Sequence, residues 1–558
     1  MMALVALATI VATVAGPAAT KEIRPPSTAN DHAPSPGDAI DRDAARRAAE
    51  RQAAERAERE RGGLSQLAAA PYERAATLPV ETPCYPIRRV DVTGADAARL
   101  GWVRRHVVRY VGQCVGAGGL DVILRGLEGA FLRRGLTTTR AGLPAQDMSA
   151  GTLRLVVVPG RVAGFTGERA VRAWRHAFPR GSGDLLTLRA LEQGLDQMRR
   201  VPGREVAVDL RPGPRPGDSL VDVAVRDPWP LSAALSVNDY AGETLGHWQG
   251  AAQVSTLDLL GLSEVATLSL NSRLRSPALP ADSRSTGLSL AVPFGWWAFG
   301  GSALRSRYGQ RVVGEVATFD TSGRLAAVSG WAERVICRDR ASRTALRATL
   351  QRRWGRSAID GVEIGLQHQD LTDVALALSH RQQLRRGQLD VEVARRQGVP
   401  WLGAQPEPAT RPRVLPTARY RLTTFDLAAS AELGGTIGYH AALHAQLSRR
   451  ALYGSDEIAV GGPFTVRGYP GQRALIGRSG WFLRQELNAR VGTGLMPYLL
   501  ADTGRVRGAR GRPASLGGGT HAHVLRTEFD TWVALPLSAR TRLGARSALL
   551  GLSAGWSL

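Results

Sequence analysis

Lysine is almost absent from this chain. Of 72 basic residues only Lys21 is a lysine; the rest are arginines spread from end to end. A net charge of +23 points first to nucleic acid. No recognition motif accompanies it, however, and the even spread among many Ala and Gly residues reads as compositional bias rather than a binding patch. No nucleic-acid partner is expected. Cysteine is scarce as well: 3 residues in 558 exclude a disulfide-dense scaffold. No histidine pair lies beside Cys84 and Cys114, so no zinc site is expected there. There is no Gly-Lys-Ser/Thr phosphate loop, so no nucleotide cofactor is expected. No Gly-x-Ser-x-Gly hydrolase elbow is expected either, nor an enzymatic activity. Past residue 20 no run of about 18 apolar residues occurs, which excludes a helical membrane span. Aromatic residues make up only 6%.

What the chain does contain is modular. Residues 1–20 are uncharged through Ala19, with an apolar stretch from Leu4 to Val14 and small residues at Gly16-Pro17-Ala18-Ala19. This reads as a secretory signal, although no basic residue precedes the apolar stretch. Residues 21–39 are a flexible lead-in rich in Pro, Ser and Gly. Residues 40–61 are mostly Ala, Arg and Glu, all strong helix formers, with Glu55 and Arg59 at i,i+4. A helix there has no apolar stripe wider than alanine and suits solvent or a water-lined cavity. Residues 62–83 form a linker with Pro71, Pro79 and Pro83. In an exported protein Cys84 and Cys114 can pair, closing a loop of about thirty residues. Cys337 is then left as a free thiol in a strand or loop.

Residues 84–159 and 160–227 repeat one pattern of strand, helix, helix, strand, strand. In the first, Leu120, Ile123, Leu124, Leu127 and Phe131 share a helix face, and Leu153, Leu155 and Val157 alternate as a half-buried strand. In the second, Leu188, Leu191, Leu195 and Met198 form the helix face, and Val206, Val208 and Leu210 alternate. Residues 228–558 change texture to short alternating runs. From Trp481 to Val491, apolar residues on one face oppose Phe482, Arg484, Glu486, Asn488 and Arg490 on the other. An apolar face backed by a charged one suits lipid outside and a polar lumen inside. At roughly 20 residues per strand and connection, this region holds about sixteen strands, enough to close a barrel.

At this point the sequence resembles the outer-membrane transporters of two-partner secretion, the TpsB family of haemolysin-activator and filamentous-haemagglutinin-transporter type. The strongest match is Gly461-Gly462-Pro463-Phe464-Thr465-Val466-Arg467-Gly468-Tyr469, with Ser455-Asp456-Glu457 upstream. It is similar to the family's signature at the tip of a long inward-folded loop. Asp502-Thr503-Gly504 is similar to the aromatic-x-Asp-x-Gly strand motif, with Leu500 in the aromatic position. Pro83-Cys84-Tyr85-Pro86-Ile87, Gln113-Cys114 and Thr137-Thr138-Thr139-Arg140 resemble the family's first POTRA domain. Outer-membrane barrels usually end in an aromatic residue; here Leu558 is last and Trp556 stands two before it.

The resemblance implies a mainly β protein: a 16-stranded transmembrane barrel preceded by two small α/β POTRA domains in the periplasm and by a plug helix at 40–61. It implies a Gram-negative outer-membrane transporter that takes an unfolded, β-helical exoprotein and secretes it, activating a haemolysin or adhesin partner. Outer-membrane lipid and the barrel assembly machinery are the other implied partners. Val466, Arg467, Gly468 and Tyr469 form the transport-loop motif. A buried Arg467 needs a carboxylate, and Asp502 and Glu486 are the candidates. The rival readings are an insertase sharing the same loop, and a passive pore or adhesin. His521-Ala522-His523 is a possible metal pair but is read as polar loop, and Gly517-Gly518-Gly519 as a turn.

Overall fold

The computed structural model describes residues 77–94, 100–167, 176–240, 248–274, 282–313, 317–407, 410–471, 474–538 and 547–558. The expected signal at 1–20, the lead-in at 21–39, the plug helix at 40–61 and the linker up to residue 76 lie outside the described residues.

Alternating apolar and polar residues drive most of the remaining chain into antiparallel strands. Sixteen of them close a barrel: β1 (Leu231–Asn238), β2 (Gln249–Leu257), β3 (Val265–Arg273), β4 (Asp282–Phe294), β5 (Trp297–Val313), β6 (Thr318–Arg338), β7 (Ser342–Ile359), β8 (Gln369–Leu384), β9 (Gly387–Val399), β10 (Arg421–Gly434), β11 (Ile437–Ser448), β12 (Gly480–Ala489), β13 (Leu495–Val506), β14 (Ala514–Val524), β15 (Thr527–Pro536) and β16 (Leu549–Ser557). The pair Val362–Glu363 extends the β7 hairpin. Closure is antiparallel, β16 on β1, from Ser553 opposite Asn238 to Ser557 opposite Ala234. Closure removes every free edge, which a membrane requires of any sheet that spans it. Outward positions carry exposed Leu268, Leu270, Leu288, Leu290, Leu376 and Leu378. Outward aromatics are few. Trp297 and Phe299 stack at one end of β5, their planes 8° apart, and Trp354 stands at the opposite end of β7.

Two α/β units precede the barrel and share one topology. In the first, Arg89–Thr93 lies parallel to Thr152–Val158, whose other side takes Arg140–Gly142 antiparallel. Helices α1 (Trp102–Val107) and α2 (Ala117–Arg133) cover that sheet, burying Leu127, Phe131, Leu153 and Leu155. Cys84 and Cys114 are joined beside the short ladder Tyr85–Pro86/Cys114–Val115, their Cα atoms 5.4 Å apart. Glu81 caps α2: its carboxylate accepts hydrogen bonds from the Gly118 and Gly119 amides at 2.8 and 2.5 Å. A carboxylate there satisfies donors that the first helical turn leaves free.

In the second unit Arg161–Thr166 pairs parallel with Asp218–Arg226, and Glu205–Pro212 pairs antiparallel on the other side. Helix α3 (Leu188–Met198) starts at Thr187, whose side chain accepts from the Ala190 amide. Its apolar face buries Leu191, Leu195 and Met198, as the spacing predicts. Its polar face docks on the barrel. Gln193 and Gln197 donate to the Gly295 carbonyl at 3.0 and 2.7 Å, and Gln197 also to that of Trp297 at 2.9 Å. Arg338 of β6 meets Asp196 and Glu192 of α3. Arg204 joins Asp227 at 2.6 Å and reaches Asp258 in the turn after β2. β1 follows directly on this unit, so the units mark one end of the barrel. Connections at that end are mostly tight, whereas the longest, 400–420 and 449–479, lie at the other.

Candidate functional site

The chain between β11 and β12 folds back into the lumen. Its inner part is a small hairpin, Ile458–Val460 paired with Leu475–Gly477. Gly461-Gly462 turns the chain. The Gly462 amide donates to the Val466 carbonyl at 3.0 Å, and the Gly461 amide to Thr465 Oγ1 at 3.0 Å. Val466 is fully buried among Ile458, Val460, Phe482 and Val506. Gly468 adopts φ +86°, and a Cβ there would also press on Ala534 at 3.2–3.3 Å. Both its conformation and its surroundings therefore call for glycine. Tyr469 packs inward, and its hydroxyl donates to the Ala514 carbonyl at 3.0 Å.

Arg467, between them, is 1% exposed. Its Nε and Nη2 donate to the two carboxylate oxygens of Asp502 at 2.7 and 2.9 Å, a bidentate fork. Its Nη1 donates to Glu486 Oε1 at 2.5 Å, and its amide to Asp502 at 3.1 Å. Both sequence candidates thus meet the same guanidinium. They stand on neighbouring strands, Glu486 on β12 and Asp502 on β13, on the inward face. Burying one arginine against two carboxylates compensates its desolvation and fixes its plane. Gly504 completes the strand motif for a steric reason. A Cβ there would lie 2.5 Å from Val460 Cγ1 and 2.8 Å from the Trp481 carbonyl oxygen. Leu500, in the family's aromatic position, is buried beside Tyr498 and Trp532.

The charge chain continues beyond Glu486. His521 Nε2 stands 3.6 Å from Glu486 and its Nδ1 3.2 Å from Asp530, while the ring stacks on Tyr498 with centroids 4.4 Å apart. Tyr498 donates to Asp530 at 2.8 Å. Two expectations change here. His521-Ala522-His523 is not a polar loop and Gly517-Gly518-Gly519 is not a turn: all six residues lie within β14. Glycine fits mid-strand because a Cβ at Gly519 would sit 2.5 Å from the Tyr498 ring. The expected absence of a Gly-x-Ser-x-Gly run is also corrected, since Gly551-Leu552-Ser553-Ala554-Gly555 has that spacing. It lies within β16, not on the sharp strand-to-helix turn that such a nucleophile needs. Cys337 is an exposed free thiol in β6.

A second anchorage, of which the sequence marked only Ser455-Asp456-Glu457, holds the stem of the loop. Arg353 of β7 donates Nη1 and Nη2 to the carboxylate of Asp456 at 2.9 and 2.7 Å. Arg396 of β9 reaches Asp456 at 3.3 Å and Asp373 of β8 at 3.5 Å. Gln446 of β11 donates to the Asp456 carbonyl at 2.7 Å, and the buried Tyr420 hydroxyl lies 3.4 Å from Arg353. The loop is therefore tied to β7–β9 at its stem and to β12–β13 at its tip.

A family model described as "Haemolysin secretion/activation protein ShlB/FhaC/HecB" matches residues 217–522. One described as "POTRA domain, ShlB-type" matches residues 85–160, and a further POTRA model matches 161–212. The outer membrane transporter CdiB-2 of Burkholderia pseudomallei is 33% identical over 459 residues, 78% of this chain and 78% of its own. The hemolysin transporter protein ShlB of Serratia marcescens is 26% identical over 450 residues, 77% of each. Among solved structures, CdiB from Escherichia coli superposes with a TM-score of 0.84 at 23% identity, covering 94% of this chain and 99% of that one. CdiB from Acinetobacter baumannii gives 0.81 at 19% identity, covering 94% and 100%.

Proposed function

Because the chain belongs to the haemolysin secretion/activation family ShlB/FhaC/HecB, we propose that its double-anchored loop is the part of the pore on which export depends. The protein is an outer-membrane transporter of two-partner secretion, with its α/β units in the periplasm. The finer reading concerns how it works. An exported chain must be recognised before it folds. In the second unit, Glu205–Pro212 is an outer strand of its sheet, and such an edge offers main-chain donors and acceptors to an added strand. The substrate would be an extended, β-helix-forming exoprotein that then threads the lumen beside the loop. No nucleotide loop is present in the sequence, so we assign direction to folding of the exported chain outside the cell. We assign no catalytic chemistry to the protein.

The observation that carries this reading is the bidentate Arg467–Asp502 pair held inside a closed barrel. Replacing Arg467 by alanine leaves the buried Asp502 without its cation and removes the shortest ion pair of Glu486. The variant is expected to insert in the outer membrane and to keep heat-modifiable mobility, but to leave its exoprotein out of the culture medium. Secretion at the wild-type level from Arg467→Ala would overturn the role given to the loop.

A further inference from the structure

The outer face of β4–β7 carries a row of like charges. In the observed register Arg284 of β4 stands opposite Arg307 of β5, Arg307 opposite Arg324 of β6, and Arg324 opposite Arg356 of β7. All four are exposed. They share the outward face with Leu288, Phe299, Val328 and Trp354 on the same four strands, because each lies an even number of residues away. Arg305 adds a fifth charge one step closer to the apolar belt.

Acidic partners serve only the margin of this row. Glu363 meets Arg356 at 3.2 Å, and Asp320, above the row, is taken up by Arg311 at 2.8 and 3.1 Å. Among the described residues, no carboxylate pairs with Arg284, Arg305, Arg307 or Arg324. Like charges directly opposite on adjacent strands repel and weaken the pairing. A sheet that places four in line needs anions from elsewhere to offset that repulsion.

The height of the row identifies the source. Trp297 and Phe299 stack at the periplasmic end of β5. Arg307 lies ten residues further along the same strand, roughly 34 Å at about 3.4 Å per residue. With a tilt of about 45° this is roughly 24 Å along the membrane normal, matching the ~25 Å apolar band of such barrels. The row therefore stands where outer-leaflet headgroups begin, and Trp354, one pair lower on β7, marks the same boundary.

We propose that Arg284, Arg307, Arg324 and Arg356 form a binding site for the phosphorylated headgroup of an outer-leaflet glycolipid. The inference rests on the outer-membrane orientation given above. Guanidinium groups a cross-strand step apart present forked donors to phosphate-monoester oxygens, which a single arginine could not bridge. Occupancy converts a repulsive row into a bridged one and pins this side of the barrel to the leaflet.

The test uses the full-length transporter in a neutral detergent, with native mass spectrometry of bound lipid and a thermal melt. The probes are diphosphoryl lipid A, the same lipid stripped of both phosphates, and inorganic phosphate. Wild type should retain the diphosphoryl lipid and melt higher with it. The R307S/R324S variant should bind it roughly twenty-five-fold more weakly, from about fivefold for each arginine near an anionic headgroup. In lipid-free detergent the variant should melt at or above wild type, because repulsion is relieved. R307S alone, with about a fivefold loss, serves if the double variant does not fold. Equal retention by variant and wild type would overturn the site. Equal retention of the stripped lipid would overturn the phosphate chemistry, and full displacement by millimolar inorganic phosphate would overturn the lipid as its source. None of these readouts requires export, so a failure here is distinct from a failure of the transport reading.

Discussion

The stem anchorage offers the sharpest perturbation, Asp456→Ala. In the folded protein Arg353, Arg396, Asp373 and Asp456 form a charge-balanced set in which the Arg353 and Asp456 side chains are 7% and 1% exposed and that of Arg396 is 38% exposed. Removing Asp456 leaves two cations against one carboxylate. Among the described residues, Arg353 then keeps Tyr420 and Ser455 as weak hydrogen-bond partners at 3.4 Å. Breaking a buried pair by removing one member costs about 3–5 kcal/mol, because the remaining charge stays desolvated. That is roughly a hundredfold to a few thousandfold in the equilibrium between docked and undocked stem. The barrel wall loses no backbone hydrogen bond, so insertion and heat-modifiable mobility should be retained. In planar bilayers the full-length variant should show larger and more frequent conductance steps than wild type. Limited proteolysis from the outside should cut near Ser455. Asp456→Asn, which keeps an acceptor but not the charge, should show a smaller effect in the same direction. Wild-type conductance together with wild-type protease resistance in Asp456→Ala would refute the reasoning.

Two other substitutions follow from the same geometry. Gly504→Ala places a methyl 2.5 Å from Val460 and 2.8 Å from a carbonyl oxygen; overpacking of this kind costs about 1–3 kcal/mol. It should lower secretion without touching any charge, measured as exoprotein in the medium at equal barrel content. Replacing Cys84 and Cys114 by serine opens a loop with a sequence separation of 30. The chain-entropy estimate is roughly 3–4 kcal/mol. The first α/β unit should melt earlier while the barrel transition stays in place, and a count of three free thiols on the native protein would refute the bridge.

Local pattern explains what could be read from the sequence. The helix face of Leu188, Leu191, Leu195 and Met198 is a 3.6-residue period and becomes α3. Leu153, Leu155 and Val157 keep the period of two and are buried in the sheet. Arg467 and Asp502 were legible because a resemblance joined distant segments that composition alone could not, and Glu486 because it stands on the charged face of an alternating strand. The misreadings share one cause. Three consecutive glycines look like a turn when neighbours are unknown, yet Gly519 sits in β14 because the Tyr498 ring of the adjacent strand occupies the space a side chain would need. The stem anchorage was hidden for the same reason: Arg353 and Arg396 are two arginines among many until the register brings them to Asp456, 103 and 60 residues away. Glu81 lay in a proline-rich linker, where no periodicity announces a cap for a helix 37 residues on.

Register also changes the meaning of the positive charge. Toward the lumen and the periplasmic mouth, arginines come with carboxylates. Arg467 has two, Arg353 and Arg396 share Asp456, and Glu333 takes Arg200, Arg343 and Arg347 together. Inside a low-dielectric wall an unpaired cation is too costly, so acids are drawn to where the arginines are buried. The chain has 49 acidic residues for 72 basic ones, so pairing inside leaves the excess for surfaces where ions from outside can serve. On the outer face of β4–β7 the arginines fall into line across four strands. Arginines stand on this face at other heights too, as Arg334 on Trp297 and Arg352 on Trp354 show. The direct cross-strand alignment of Arg284, Arg307, Arg324 and Arg356 above the apolar belt is a property of register rather than of composition. Compositional bias accounts for the number of arginines, and only the barrel's register accounts for where this row stands.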